Sequence, residues 1–347
     1  MAPETLNTIT RRKAFISVSD ELRAYLRHHG RLSHLPALYR DLEDFSGGYP
    51  LYDKEGQPTM WKTLVYEQTR QRELWPRLTS IYSLLRTGDL QAVPHLYVER
   101  VDYCEFGNSK PFRIRVVNQY NDNYDHFYLK VADASRIYGL ELEHLLSPNR
   151  INYLVHEETL IEEHIAGVPG DKFISDYFGR KDLNRVRIAK EFVKFSERCF
   201  IRLLGDMRSY NYVIDMTPDF EEVQYRVRAI DFDQQSYEGR CNIYLPQFYK
   251  ENLPVVELCL ECLNLATRQQ YQQEERSLIS RRFISEKARL RSLVRCMKHH
   301  PAEPLEKVLQ LSRELGEYHS THLFDDCHTM GDVVEKHIEF MLGKHLM

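Results

Sequence analysis

Three short runs rich in Val, Ile, Tyr and Phe, between residues 95 and 133, restrict the possible folds more than any other part of the sequence. The runs are HLYVERVDYCEF, FRIRVVNQY and HFYLKVAD, and the turn-forming stretches GNSKP and NDNYD separate them. Strand-forming runs between turn signals predict a three-stranded antiparallel meander. A helical pattern, ASRIYGLELEHLL, follows the meander and ends before Ser147, and two further strand-like runs, INYLVHEE and TLIEEHIAG, come next.

The sequence from residue 183 onward is mostly helical in pattern. LNRVRIAKEFVKFSERCFIRLL has apolar residues three and four apart and leads into Gly205 and Asp206. YNYVID and YRVRAIDFD then predict two short strands, which the polar stretch MTPDFEEVQ would join as a hairpin extension. After residue 254 nearly all of the sequence is again helical in pattern.

The N-terminal part, up to about residue 90, is also mainly helical in pattern, around a predicted loop, DFSGGYPLYDKEGQPT, that is dense in Gly, Pro and Asp. Because 347 residues exceed what one hydrophobic core usually serves, we expect more than one domain. The predicted class is α+β. We predict a helical N-terminal region over residues 1–92, a small antiparallel-sheet lobe over 93–166, and a helical lobe with a C-terminal helical extension over 167–347.

Composition and charge exclude several classes of function. The formal net charge of −4 gives no overall positive field, so we do not expect a nucleic-acid partner. No apolar run approaches the roughly 20 residues that span a bilayer, since even VVELCLECLNLA contains Glu257 and Glu261. The start MAPETLNTITRRK has no apolar segment after its charges, and seven scattered cysteines fit reduced thiols, so we expect a cytoplasmic protein without a membrane partner.

Several charged residues have the types and the order that phosphoryl transfer requires. That chemistry needs a cation for the phosphates, a carboxylate that holds this cation, a base, and oxygen ligands for Mg²⁺. Lys130 lies inside the third predicted strand, where it points to one face of the sheet. Without the other residues, the simplest interpretation of Lys130 is an exposed lysine on a strand. Glu141 and Glu143 lie in the following helix, and either could pair with Lys130, with Glu143 preferred because its longer spacing leaves more room for the connection.

The stretch LLGDMRSYNYVID carries the remaining candidates. Asp206 follows an apolar helix and a glycine, which suits a general base on a tight loop. Asn211 can offer an amide oxygen to Mg²⁺, and Asp231 in AIDFD can offer a carboxylate. The alternative is a polar turn followed by an aspartate at a strand end, but the order of the three residues and their apolar flanks favour a site.

LLGDMRSYNYVID followed by VRAIDFD resembles the catalytic loop and metal-binding segment of the protein-kinase-like superfamily, closer to aminoglycoside and other small-molecule phosphotransferases than to eukaryotic protein kinases. The resemblance covers approximately residues 94–250 and implies a bilobal kinase-like fold with ATP and Mg²⁺ as cofactors. It implies that Asp206 is the catalytic base, that Asn211 and Asp231 bind metal, and that Lys130 with Glu143 or Glu141 anchors the phosphates. ETLIEEHIAGVPG is similar to the segment that links the lobes and contacts adenine, which implies nucleotide contacts at Glu162, Glu163, His164 and Ile165.

Two features depart from the family pattern. Leu204 stands where the family usually has histidine, and the turn CEFGNSKPF has a single glycine in place of a Gly-rich phosphate loop. The main hypothesis is therefore an ATP- and Mg²⁺-dependent phosphotransferase that acts on a hydroxyl of a small molecule or a protein. The alternative is a catalytically weak, pseudokinase-like nucleotide-binding or protein-interaction module. Nucleotidyl transfer on the same scaffold is a third hypothesis.

Three weaker signals have simpler explanations. Cys259 and Cys262 form a CxxC without a second pair and lie in a helical pattern, which favours core cysteines over a zinc site. HLFDDCHTM, from His322 to Met330, gathers potential ligands but is predicted to be a solvated loop. The basic stretch RRFISEKARLRSLVRCMKHH is predicted to be a solvated helix face, with a phosphate or RNA contact as the minority alternative.

Overall fold

The computed structural model describes residues 13–53, 55–90, 94–106, 108–220, 222–300 and 303–346. Within them the fold is α+β, as predicted, with ten α-helices, one antiparallel sheet of seven strands and one of three. The predicted boundary at residues 92 and 93, and most of the N-terminal stretch used to judge a secretory signal, lie outside these residues.

The chain divides into two compact units. Unit 1 contains the described parts of Met1–Val18, Gly30–Asp133 and Asn152–Glu163, and unit 2 contains those of Ser19–His29, Ala134–Ile151 and His164–Met347. These units differ from the predicted domains, because unit 1 reaches well before residue 93 and the segment that follows the meander belongs to unit 2.

Unit 1 is built on the seven-stranded sheet, whose strand order is β1-β2-β3-β4-β5-β7-β6. The predicted meander is confirmed as β3, β4 and β5, and the next two predicted strands are β6 and β7. The strands are β1 (Gly47–Tyr52), β2 (Pro58–Val65), β3 (Leu96–Tyr103), β4 (Phe112–Asn118), β5 (Tyr124–Val131), β6 (Tyr153–His156) and β7 (Thr159–Glu163).

The prediction that residues 1–92 form a helical region with a loop at 44–59 is wrong in part, since β1 and the first two residues of β2 lie within that stretch and the rest of β2 follows it. Pro50 is compatible with β1 because β1 is the edge strand of the sheet, where a missing N–H costs no ladder bond. The turn residues mark only the connection, where the Gly56 N–H donates to the Asp53 carbonyl at 3.1 Å. β2 joins the meander where Thr63 pairs with Asp102 and its hydroxyl donates to the buried Asp102 carboxylate at 2.8 Å.

The core of unit 1 lies under helix α2 (Gln68–Thr87), which the helical pattern predicted. Its buried face carries Leu74, Leu78, Ile81 and Leu85, three and four residues apart. This face packs with inward residues of the central strands, among them Val98, Ile114 and Phe127. Gly88 adopts a left-handed conformation with φ of 79° and ends the helix.

Unit 2 is mainly helical and contains the three-stranded sheet in the order β10-β9-β8. Its strands are β8 (Val168–Pro169), β9 (Tyr212–Asp219) and β10 (Glu222–Ala229), and the pairing of Asp219 with Glu222 confirms the predicted hairpin extension. Its helices are α1 (Asp20–His28), α3 (Ala134–Leu146), α4 (Gly170–Tyr177), α5 (Arg185–Arg202), α6 (Leu253–Cys262), α7 (Leu265–Ser285), α8 (Lys287–His299), α9 (Leu305–His319) and α10 (Met330–Leu342).

Helix α5 carries the chain into the polar loop that the sequence singled out. Asn184 caps its first turn by accepting from the Arg187 N–H at 3.1 Å, and Leu203 ends the helix in a left-handed conformation. Leu204 then forms an isolated bridge with Gln235, which places the start of the loop beside the IDFD segment. No helix in the described ranges combines the length and the apolar composition that a membrane crossing requires.

Candidate functional site

The candidate site lies in unit 2, in the loop that follows α5. Leu203 and Asp206 both have positive φ, 53° and 57°, a conformation that costs a residue with a side chain about 1–2 kcal/mol. Gly205 stands between them because a Cβ there would lie 2.9 Å from Ile243 Cγ2 and 3.1 Å from the Gln234 carbonyl oxygen. The close packing of this glycine therefore fixes the position from which Asp206 extends.

Asp206 is held at both its backbone and its carboxylate. Its N–H donates to the Tyr249 hydroxyl at 3.0 Å and to the Ile243 carbonyl at 3.2 Å. Its Oδ1 accepts from Arg208 Nε at 2.8 Å, and the side chain remains 35% exposed. Asp206 thus combines a backbone held by two hydrogen bonds with a side chain that solvent reaches.

Burial raises the pKa of Asp206, and the nearby Asp231 and Glu251 carboxylates raise it further, whereas Arg208 opposes the rise. Arg208 also donates to Glu251 at 2.7 Å, so one guanidinium is shared by two carboxylates. A carboxyl group whose pKa lies above its usual range accepts a proton more readily at neutral pH.

Asn211 connects the loop to the segment that contains Asp231. Its side-chain Nδ2 donates to the Asp206 carbonyl at 2.7 Å, which leaves the amide oxygen as the atom that can face a cation. Its backbone carbonyl accepts from the Ile230 N–H at 3.0 Å. The predicted metal ligands Asn211 and Asp231 are thus brought to neighbouring backbone positions.

Asp231 belongs to a charge cluster that also contains the buried residues Arg136 and Asp233. Arg136 Nη1 donates to Asp231 Oδ1 at 2.7 Å and to Asp233 Oδ1 at 2.8 Å. Arg136 is 1% exposed, whereas the side chains of Asp231 and Asp233 are 35% and 10% exposed. Asp231 is therefore the carboxylate of this pair that solvent reaches more readily.

The donor set fits Mg²⁺ in one specific way. Asn211 and Asp231 offer one amide oxygen and one carboxylate, hard oxygen ligands of the kind that Mg²⁺ accepts alongside phosphate and water. The positively charged guanidinium group of Arg136 already forms an ion pair with Asp231. Within the described residues, no group of three or more His, Cys, Asp or Glu side chains could hold a metal ion by itself, so the fit is to a metal that also binds another ligand.

The two glutamates of α3 have arginine partners within unit 2. Glu141 accepts from Arg289 Nη2 at 2.7 Å and from the Tyr25 hydroxyl at 2.5 Å. Glu143 forms an ion pair with Arg202 at the end of α5. Both carboxylates are buried and have arginine partners inside unit 2, and the predicted pairing of either one with Lys130 stays a prediction.

Lys130 lies in β5 of unit 1 and is buried, so the simple interpretation of an exposed strand lysine is wrong. Its Nζ donates to Glu162 Oε2 at 2.8 Å, and Leu160 of β7 pairs with Lys130 in the sheet. Glu162, predicted from the resemblance to contact adenine, thus provides a carboxylate for this lysine.

The other residues of the predicted adenine segment differ in their surroundings. Glu163 Oε1 accepts from the Asn152 N–H at 2.8 Å. Ile165 is buried in unit 2, and His164 is half-buried. Their predicted nucleotide contacts stay predictions.

Arg136, Arg208 and Glu251 were not predicted from the sequence. Arg208 could have been found, because it lies two residues after Asp206 in the same polar loop. Arg136 had a weaker signal, an arginine within the apolar pattern ASRIYGL, which requires an acidic partner once it is buried. Glu251 lies 45 residues beyond Asp206, and no local pattern connects the two.

The weaker candidates have structural explanations. Cys259 is buried in α6, as expected of a core cysteine. His322 pairs with Asp325 at 3.1 Å on an exposed turn. In the basic stretch, Arg289 forms an ion pair with Glu141, and Arg282 donates to the His144 and Leu145 carbonyls at the end of α3.

No protein-family model matches the chain, and no curated protein matches it at a significant level.

Proposed function

We propose that the protein is an ATP- and Mg²⁺-dependent phosphotransferase with a bilobal kinase-like fold, acting on a hydroxyl group of a small molecule or a protein. The observation that carries the proposal is the double link made by Asn211. Its side chain binds the Asp206 carbonyl, and its own carbonyl accepts from Ile230. The link joins a candidate base and two candidate metal ligands in one rigid arrangement, in the order that phosphoryl transfer requires.

The secondary structure supports the proposal independently of the loop. The strands β3 to β7 lie in the order β3-β4-β5-β7-β6, and α3 is the helix between β5 and β6 in the chain. This is the arrangement expected of a kinase-like small lobe. The buried pair of Lys130 and Glu162 supports a phosphate-anchoring lysine, because a carboxylate holds its ammonium group in place.

Different residues of unit 2 have different roles in the proposed reaction. Asp206 would accept the proton of the acceptor hydroxyl while the hydroxyl oxygen bonds to the terminal phosphorus of ATP and the bond from that phosphorus to ADP breaks, so that ADP leaves. The raised pKa of Asp206 favours the proton transfer. Asn211 and Asp231 would hold Mg²⁺, which would neutralise charge on the phosphate oxygens. Arg208 holds the Asp206 carboxylate in one orientation.

Two observations favour a catalytically weak, pseudokinase-like module instead. Asp206 and Asp231 both form ion pairs with arginines, Arg208 and Arg136, and Leu204 replaces the histidine of the family pattern. In this alternative the ion pairs are permanent, and the nucleotide binds without metal or does not bind.

Calorimetric titration with ATP, with and without Mg²⁺, separates the two functions. The proposed enzyme binds ATP in a Mg²⁺-dependent manner, and Asp231→Asn removes that dependence together with ATP turnover. Asp219→Asn, an exposed change in the same unit, is the matched control and leaves both unchanged. Absence of Mg²⁺-dependent ATP binding in the wild-type protein contradicts the proposal, and metal-independent binding without turnover supports the alternative.

A further inference from the structure

Unit 2 contains a cavity of about 170 Å³ among the helices α5, α7, α9 and α10. Part of its wall is apolar and comes from the buried side chains of Phe200, Leu245 and Met341. A cavity of about 150 Å³ can hold a benzene ring, so this one is large enough for a compound with a single ring. The described residues that line it lie outside the loop that carries Asp206.

An ion pair forms the charged part of the cavity wall. Arg276 Nε donates to Glu197 Oε1 at 2.5 Å; Glu197 is buried, and Arg276 is partly exposed. Arg276 Nη1 and Nη2 form no hydrogen bond with any residue that the structure describes. A guanidinium group can bind a carboxylate through two parallel hydrogen bonds. Arg276 can therefore hold Glu197 through Nε and a second carboxylate through its other two nitrogens.

Ser196, which precedes Glu197 on α5, also lines the cavity. Its Oγ is buried and has no hydrogen-bond partner among the described residues. A buried hydroxyl without a partner is unfavourable, and an oxygen atom of a bound ligand would supply that partner.

Two hydrogen-bonded histidines leave the charge of the wall unchanged. The Nε2 atoms of His319 and His337 lie 3.2 Å apart, and His337 Nδ1 lies 3.3 Å from the Ile201 carbonyl oxygen. Because a carbonyl only accepts, Nδ1 carries the proton of His337, and its Nε2 accepts from His319. Burial lowers the pKa of His319 to about 4 and that of His337 to about 3, and the charge of Arg276 acts in the same direction. At neutral pH, Arg276 is thus the cationic side chain among the described residues that line the cavity.

We propose that this cavity binds a small monocarboxylate with an aromatic or short apolar body, and that Arg276 holds the carboxylate. The body of the ligand packs against Phe200 and Met341, and Ser196 Oγ donates to a ligand oxygen. Glu197 is already engaged by Arg276, so a cationic ligand has no free carboxylate of this pair to bind. The proposal does not depend on the proposed phosphotransferase activity, since the two use different residues.

The test is a titration of the full-length protein with 4-fluorobenzoate, followed by fluorine-19 NMR line broadening at pH 8, where Glu197 is ionised. We expect a dissociation constant below about 1 mM. 4-Fluorobenzamide and 4-fluorobenzylamine carry the same ring but are neutral and cationic. We expect both to bind about tenfold more weakly or less, because hydrogen bonds between two charged groups are stronger.

Three variants test the assigned contacts. Arg276→Gln weakens the binding of 4-fluorobenzoate by about tenfold or more, and Ser196→Ala weakens it by about three- to tenfold. Ser196→Ala leaves the thermal unfolding temperature level or higher, because it removes an unpaired buried hydroxyl. Glu197→Gln tightens the binding by about threefold or more, because a negative charge beside the ligand is lost. A cationic ligand would show the opposite change in Glu197→Gln.

Arg313→Gln is the matched control, because Arg313 is an exposed arginine of α9 outside the cavity wall, and this variant binds like the wild-type protein. If Arg276→Gln does not fold, its combination with Glu197→Gln, which leaves no unpaired charge, takes its place. The proposal is overturned if the wild-type protein does not bind 4-fluorobenzoate, or if it binds the three fluorinated compounds equally. It is also overturned if the Arg276 variant binds as tightly as the wild-type protein, or if Glu197→Gln weakens the binding.

Discussion

Unit 2 contains two groups of arginine–carboxylate ion pairs that differ in their exposure to solvent. Asp206, Arg208 and Glu251 are paired at hydrogen-bonding distance, yet their side chains remain 34% to 38% exposed. Glu143 and Arg202 are also paired, but they are buried between α3 and α5. Loss of one partner of a buried pair leaves an uncompensated buried charge and destabilises the fold, whereas a carboxylate that solvent reaches can change its protonation state and its partner.

The difference separates residues that hold the structure from residues that can react. Both groups contain an arginine beside a glutamate, so residue type does not distinguish them. The pKa of Asp206 is raised by burial, and the carboxylates of Asp231 and Glu251 raise it further. A raised pKa is the direction that a proton acceptor needs. Exposure and a raised pKa together make Asp206 the candidate for chemistry.

The largest expected effect comes from Asp206→Asn. We expect ATP turnover to fall by about 10²- to 10⁴-fold, the usual loss when a general base is removed. We expect the thermal unfolding temperature to stay level or to rise. A carboxyl group with a raised folded-state pKa loses stabilisation as the pH rises through that pKa, so at neutral pH the charged form is unfavourable to folding and asparagine removes that cost.

Turnover assays and thermal unfolding at pH 7.5, about 3.6 units above the usual Asp pKa, measure the two outcomes on the same samples. A fall in unfolding temperature with unchanged turnover would place Asp206 with the buried structural pairs and remove the distinction between the two groups.

The next effect in size concerns the buried pair. Glu143→Ala leaves Arg202 as an uncompensated buried charge, so the free energy of unfolding should decrease by about 3–5 kcal/mol. Glu143→Leu combined with Arg202→Met removes both charges and should recover most of the loss. Urea unfolding followed by circular dichroism gives these free energies.

The matched control for Glu143 is Glu261→Ala, which breaks an exposed pair with Arg185. Surface pairs contribute about 0–1 kcal/mol, so this variant should be close to the wild-type protein. Equal losses for Glu143→Ala and Glu261→Ala would show that burial does not distinguish the two kinds of pair.

The helices, the meander and the polar loop were predictable because their signals are local. The three- and four-residue apolar spacing gave α2 and α5, and alternating strand formers gave β3 to β5. The β1–β2 hairpin was missed because its Gly and Pro residues are typical of loops, and only its pairing with β3 makes it part of a sheet.

In the site, Asp206, Asn211 and Asp231 follow from motif order, but their partners do not. Arg136 lies 95 residues before Asp231 in the sequence, and Glu251 lies 43 residues after Arg208. Such pairs are formed by tertiary packing, which leaves no spacing pattern in the sequence. Charge balance around a predicted catalytic residue therefore requires the structure.

The smallest expected effect tests how Glu251 acts on Asp206. Its carboxylate raises the pKa of Asp206 directly and also shares Arg208, so Glu251→Gln should lower that pKa by both routes. Turnover requires the ionised base, so activity falls as the pH falls through the Asp206 pKa, and in Glu251→Gln this loss should begin at a lower pH.

Carbon-13 NMR titration of the Asp206 carboxyl, assigned with Asp206→Asn, measures the pKa of Asp206 without an activity assay. Glu261→Gln is the control and should leave the titration curve unchanged; a pKa that rises in Glu251→Gln would show that Glu251 mainly holds Arg208 in place against Asp206.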